Sequence, residues 1–265
     1  MIALLSNDTA GWEHFLTAGL LVCIRASGLF VFAPIFSSQA LPVKVKSVFL
    51  IILTVVLAPV AASLPGSHVE IGLRSVLGEL GVSALLGMSL AMLNELASLA
   101  GQLLGMQFSF SLVNLLDPNS EVQTPLLAQM LSLLEFTLLL AVGLHRTILA
   151  ALLHTFAVVP LGSSLAPREI GLPLVGMMSG VFLAALQLAA PVIAATLLVE
   201  IGVALMSRVS PQLPVLALTV PAKTVLGYVV LIGSLALWPA FFEARFDGLL
   251  NAAQGLLHDL ALHAS

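Results

Sequence analysis

The chain has 265 residues, 60% of them apolar and only 8% charged, with a formal net charge of −4. A mean hydropathy of +1.14 places it outside the range of water-soluble domains. Nine Lys plus Arg make no basic patch, which excludes a nucleic-acid partner, and the single Cys23 excludes an internal disulfide.

The pattern predicts an all-α, integral membrane protein with six or seven apolar helical segments. The first, about Trp12 to Phe36, carries Arg25 near its middle and the inert thiol of Cys23. It ends at Ala33-Pro34, because proline disfavours helix in the residue before it. The stretch Met1 to Asp8 lacks the positive region of a signal peptide, so this segment is expected to be retained. Ser37-Ser38-Gln39 leads through Pro42 to Lys44 and Lys46, and a second segment runs from Ser47 to the stop at Pro65-Gly66.

The third segment runs from Leu73 through Glu79 and Glu95 to about Leu104. It is too long for one straight crossing and is expected to be bent, tilted or split into two half-helices. Ala97, Gly101 and Gly105, at four-residue intervals, predict a stripe for close helix packing. From Gly101 the chain reads as a turn-like stretch, closed by Asn114 and Asp117-Pro118-Asn119-Ser120.

A further helix opens near Thr124-Pro125, where proline is tolerated, and reaches His145. A break at His145-Arg146 precedes a segment from Thr147 to about Val159, ended by Pro160 and Gly162. Gly162 to Pro173 reads as a polar connection. The run from Leu174 to Ser207 is expected to kink at Pro191. A compact turn from Ser207 to Pro214 separates it from Val215 to Phe242. The expected organisation is therefore a polytopic helical part, 1–242, and an amphipathic C-terminal helix, 243–265. On that tail Phe246, Leu249, Leu250, Ala253, Leu256, Leu257 and Leu260 share one face, suited to a membrane surface or a partner.

Arg25, Glu79, Glu95, Glu135, Glu200 and Lys223 lie inside apolar surroundings. A lone charge at membrane depth costs roughly 2.5–3.5 kcal/mol, so these groups are expected to contact partner chains or one another. No metal-ligand spacing, nucleophile–base set or phosphate-binding glycine loop is present, which points to a non-enzymatic protein without a cofactor.

The two turn segments carry a resemblance. Gly101-Gln102-Leu103-Leu104-Gly105-Met106-Gln107-Phe108-Ser109-Phe110-Ser111, followed by Asp117-Pro118, resembles the G-Q-x-x-G-x-Q…D-P signature of the FliR family. Arg25…Gly28…Ala33-Pro34, Gly143-Leu144-His145, Phe156…Pro160-Leu161-Gly162 and Pro221…Gly227 are similar to further family motifs in the same order. So is Arg208-Val209-Ser210-Pro211-Gln212-Leu213. FliR-like proteins are export-gate subunits of the flagellar type III secretion system.

The resemblance implies broken helical hairpins packed in a hetero-oligomeric gate with FliP-like, FliQ-like and FlhB-like subunits. It also implies a bacterial inner membrane location in the flagellar basal body, contact with membrane lipid, and passage of unfolded secreted protein substrates. By the same analogy, Gly105, Met106, Gln107, Phe108, Phe110, Asp117 and Pro118 belong to a loop that narrows the closed channel. Phe108 stands where relatives often have glycine. The turn with Arg208, Pro211 and Gln212 favours the flagellar branch over the related injectisome subunit. A secondary transporter is disfavoured because no convincing internal repeat is present, and an intramembrane enzyme because no catalytic set is.

Overall fold

A computed structural model describes residues 2–33, 36, 42–67, 70–108, 126–163, 167–210, 212 and 215–264. Among them there is no strand. The helices are α1 (Ile2–Phe32), α2 (Val43–Ala62), α3 (Leu73–Gln107), α4 (Leu126–Val142), α5 (Leu144–Val158), α6 (Pro167–Val209), α7 (Val215–Ser234) and α8 (Trp238–Ala264). A single 3₁₀ turn, Leu235–Leu237, joins the last two.

Among the described residues five stretches are long and apolar enough to cross a membrane: Trp12–Phe32, Val43–Ala62, Leu73–Gln107, Val175–Val209 and Leu218–Leu260. Counting the broken pair α4 and α5 as one more brings the total to six. Hydropathy of this kind leaves a helix stable only where lipid or protein covers it, so the chain is membrane-embedded.

Prolines and glycines set most boundaries. Pro42 precedes α2, which therefore starts before the expected Ser47 and takes Lys44 and Lys46 into its first turns. Gly143, at φ +82°, breaks α4 from α5. The break thus falls two residues before the expected His145, because glycine adopts that backbone without the steric cost histidine would meet. The expected polar connection up to Pro173 is shorter, since α6 begins at Pro167, a position where the missing N–H costs nothing. Neither α3 nor α6 splits into separate helices; α6 runs for 43 residues with Pro191 inside it.

The chain divides into two compact units. The first comprises Met1–Met92, Gly143–Met178 and Arg245–Ser265, the second Leu93–Val142 and Ser179–Ala244.

In the first unit α1 packs along α2. Phe30, Phe36 and Phe49 form a ring cluster with centroids 5.3–6.0 Å apart. Where α1 meets α3 the backbones nearly touch, and a Cβ on Gly28 would lie 2.7 Å from the carbonyl oxygen of Ser83. The tail lies in α8, which begins at Trp238 and not at the expected residue 243, and its apolar side is covered by its own chain. Ala253, Leu257 and Leu260 pack against Val82, Leu85 and Val159.

In the second unit the small-residue stripe of α3 is a packing surface. Ala97, Gly101 and Gly105 are all buried, and a Cβ on Gly101 would sit 2.3 Å from Cα of Ala128 in α4.

Candidate functional site

Among the described residues each unit holds a cluster of polar groups within its apolar helices. The cluster in the first unit begins with Pro160. Proline cannot continue the helix and forces the residue before it out of helical geometry, so Val159 is extended at φ −118°, ψ 98°. Helix α5 then ends with carbonyls that need donors.

Arg25 of α1, 1% exposed, caps this end: its Nη1 donates to the carbonyl oxygen of Val159 at 2.8 Å and to that of Thr155 at 3.2 Å, which also accepts from the Val159 N–H. The guanidinium also sits 4.5 Å from the Phe156 ring centroid. Its other edge faces Glu79 of α3, with Nε paired to Oε2 and Nη2 donating to Oε1 at 2.9 Å. Gly162, held at φ +81°, donates its backbone N–H to the same Oε1 at 2.8 Å. One bidentate pair therefore ties α1, α3 and the end of α5 together with its hydrogen bonds filled. The positive charge at a helix C-terminus adds a favourable dipole term.

The second cluster surrounds the end of α3. Thr196 of α6 donates to Oε1 of Gln107 at 3.2 Å, and one turn further along Glu200 pairs with Lys223 of α7. Gly227, one turn beyond Lys223, leaves room for Phe108: a Cβ there would lie 2.1 Å from the ring. Phe108 stacks on Tyr228 with centroids 4.8 Å apart and planes 10° from parallel. Gln107 and Phe108 are thus seated against two helices at once. Lys223 is 10% exposed and Glu200 45% exposed, so this ion pair is open on its carboxylate side.

The residues singled out from sequence separate into distinct environments. Arg25 with Glu79, and Lys223 with Glu200, pair inside the chain. Glu135 is wholly buried, and neither carboxyl oxygen has a hydrogen-bond partner among the described residues. Glu95 lies exposed on α3. Of the expected channel-narrowing loop, Gly105, Met106 and Gln107 instead form the last helical turn of α3. Met106 is 64% exposed whereas Phe108 is 4% exposed. Phe110, Asp117 and Pro118 lie outside the described residues, as does Pro211. Arg208 is exposed in the last turn of α6 and Gln212 is exposed just beyond it.

Residues 16–249 match the profile of the family described as Bacterial export proteins, family 1. The chain belongs to that family. The Flagellar biosynthetic protein FliR of Escherichia coli (strain K12) is 26% identical over 255 residues, covering 95% of this chain and 97% of the relative. FliR of Bacillus subtilis (strain 168) is 26% identical over 219 residues, covering 81% and 85%. The Yop proteins translocation protein T of Yersinia pestis is 26% identical over 216 residues, covering 78% and 82%. The resemblance to FliR read from the ordered motifs therefore extends along nearly the whole chain.

Several residues of this export protein's clusters were not singled out from sequence. Thr155 and Val159 act through backbone carbonyls, which carry no sequence signal. Thr196 is an ordinary threonine in an apolar helix. Tyr228 had a usable mark, being the only tyrosine in the chain and next to a family glycine. Among the described residues no group of His, Cys, Asp or Glu could hold a metal ion.

Proposed function

We propose that this chain is a non-enzymatic subunit of the flagellar type III export gate, in the bacterial inner membrane at the flagellar basal body. It assembles there with FliP-like, FliQ-like and FlhB-like subunits and forms part of the path for unfolded flagellar proteins. The observation that carries the reading is the family match over residues 16–249, together with a relative, FliR of Escherichia coli, aligned over 97% of its own length.

The geometry supports it in two ways. Aliphatic side chains stay exposed along α2 and α6, among them Ile51, Val55, Leu198 and Ile201, and need lipid or protein cover. The end of α3 is held firmly by Phe108 and Gln107 while Met106 faces outward. We assign Phe108 as the anchor of the segment that narrows the channel, and Met106 as a pliable side chain at its start.

The test is deletion of the gene and complementation by the intact chain. Loss of filaments and of hook and filament protein secretion, restored by complementation, is the expected result. A fully motile deletion strain sinks the flagellar reading. A motile strain that loses only effector secretion moves the chain to the injectisome branch, which the Yersinia pestis relative represents.

A further inference from the structure

The outer side of α3 within the second unit carries a feature that the family match leaves unassigned. Leu93, Leu96, Ala97, Ala100, Gly101 and Leu104 are buried and form its inner face. On the other side Glu95, Ser98 and Gln102 follow one another at three and four residues, which places them on one stripe. Asn94 lies beside Glu95 and is half-buried.

Glu95 is exposed, and Ser98 and Gln102 are half-buried. Gln102 donates to Oγ of Ser98 at 3.3 Å, so these two stiffen each other. Glu95 makes no hydrogen bond or ion pair among the described residues. It stands 12 residues before the end of a 35-residue apolar helix, about 18 Å from that end. Long side chains near a helix end can snorkel to the interface; this one is more than three turns inside.

We propose that this stripe docks a membrane helix of another gate subunit that presents a lysine or arginine to Glu95. The proposal rests on the export-gate reading above. A carboxylate among apolar groups requires a counter-charge, and none is supplied by the described residues of this chain. Half-buried Leu99 and Leu103 lie beside the polar groups. A polar line one residue wide with leucines next to it matches the ridge of a single helix, with Asn94, Ser98 and Gln102 as hydrogen-bonding positions along it. Gly101, on the adjoining side of α3, already seats the helix on α4, so the stripe is held in one orientation.

The test uses the full chain, affinity-tagged, in cells that make the whole apparatus. Wild type is expected to bring down the other gate subunits from solubilised membranes; if it recovers none, the export-gate reading fails, independently of the stripe. Glu95→Gln is expected to lower that recovery about tenfold at equal chain abundance, and Glu95→Lys to lower it further. Recovery equal to wild type for both overturns the proposal.

A photo-reactive residue at Ser98, in an otherwise wild-type chain, covers the case of unstable Glu95 variants. An adduct with another gate subunit, mapped to a helix containing Lys or Arg, is expected. An adduct with a stalled export substrate overturns the proposal and makes the stripe part of the conduit. Absence of any protein adduct also overturns it, by assigning the stripe to lipid.

Discussion

The two units handle buried polarity differently. In the first, Arg25 and Glu79 satisfy each other, two carbonyls of α5 and the N–H of Gly162 in one closed network. In the second, Lys223 and Glu200 leave a carboxylate half in the open, Glu135 is enclosed without a partner among the described residues, and Glu95 faces outward. The Arg25–Glu79 network of the first unit is completed by that unit's own residues, although Nδ1 of His145 is buried there without a hydrogen-bond partner among the described residues. The second leaves the larger number of carboxylate oxygens unmatched among the described residues. A membrane makes this contrast energetically steep, because water cannot satisfy what the protein leaves unpaired.

The strongest way to break the comparison is to attack the closed network. Arg25→Ala or Glu79→Ala each leaves a buried charge alone and is expected to cost about 3–5 kcal/mol, seen as loss of the chain from membranes and a lower unfolding temperature in detergent. The double variant Arg25→Met with Glu79→Leu is expected to cost much less than either single change. Equal damage from single and double variants would show that the pair stabilises through packing and not through charge satisfaction.

Backbone contact in the second unit gives the next effect. Gly101→Ala places a Cβ against the Ala128 backbone and is expected to destabilise by about 1–3 kcal/mol. Gly180→Ala meets nothing within 4 Å and is expected to stabilise by about 0.4–1 kcal/mol through the unfolded chain. Thermal unfolding of the two variants side by side checks both signs.

Lys223→Met removes the partner of a half-exposed carboxylate, and the expected loss is about 1 kcal/mol. Should it equal the loss from Arg25→Ala in the same unfolding assay, the two clusters are not different in kind. The smallest effect belongs to Glu135→Leu. Replacing an unsatisfied buried carboxyl with a similar apolar volume is expected to be neutral or stabilising, and a loss of stability would reveal a hydrogen-bond partner.

Much of the fold was legible in the residues alone. The apolar runs located α2 and α4 to within about four residues, whereas α1 begins ten residues before the expected Trp12 and α7 ends eight before the expected Phe242; the stripe of Ala97, Gly101 and Gly105 pointed to the tight α3–α4 contact. Boundaries set by one glycine or proline were less legible: Gly143 rather than His145 breaks α4 from α5, and α6 starts at Pro167. Several segments offered more than one residue able to stop a helix, and only the packed chain selects among them. For the candidate sites the sequence named the ionisable residues but not their pairing.

Hydropathy is a local property that adds up residue by residue, so the sequence by itself determined an all-helical, membrane-embedded chain with charges that need partners. The family motifs, being linear, were equally available there. Pairing is a property of distance in space. Arg25 meets a carboxylate 54 positions away and a carbonyl 130 positions away, and no period along the chain encodes either contact. Only the tertiary structure decided that Phe108 packs on Tyr228, that the tail helix covers its own core, and that Glu95 is left facing outward.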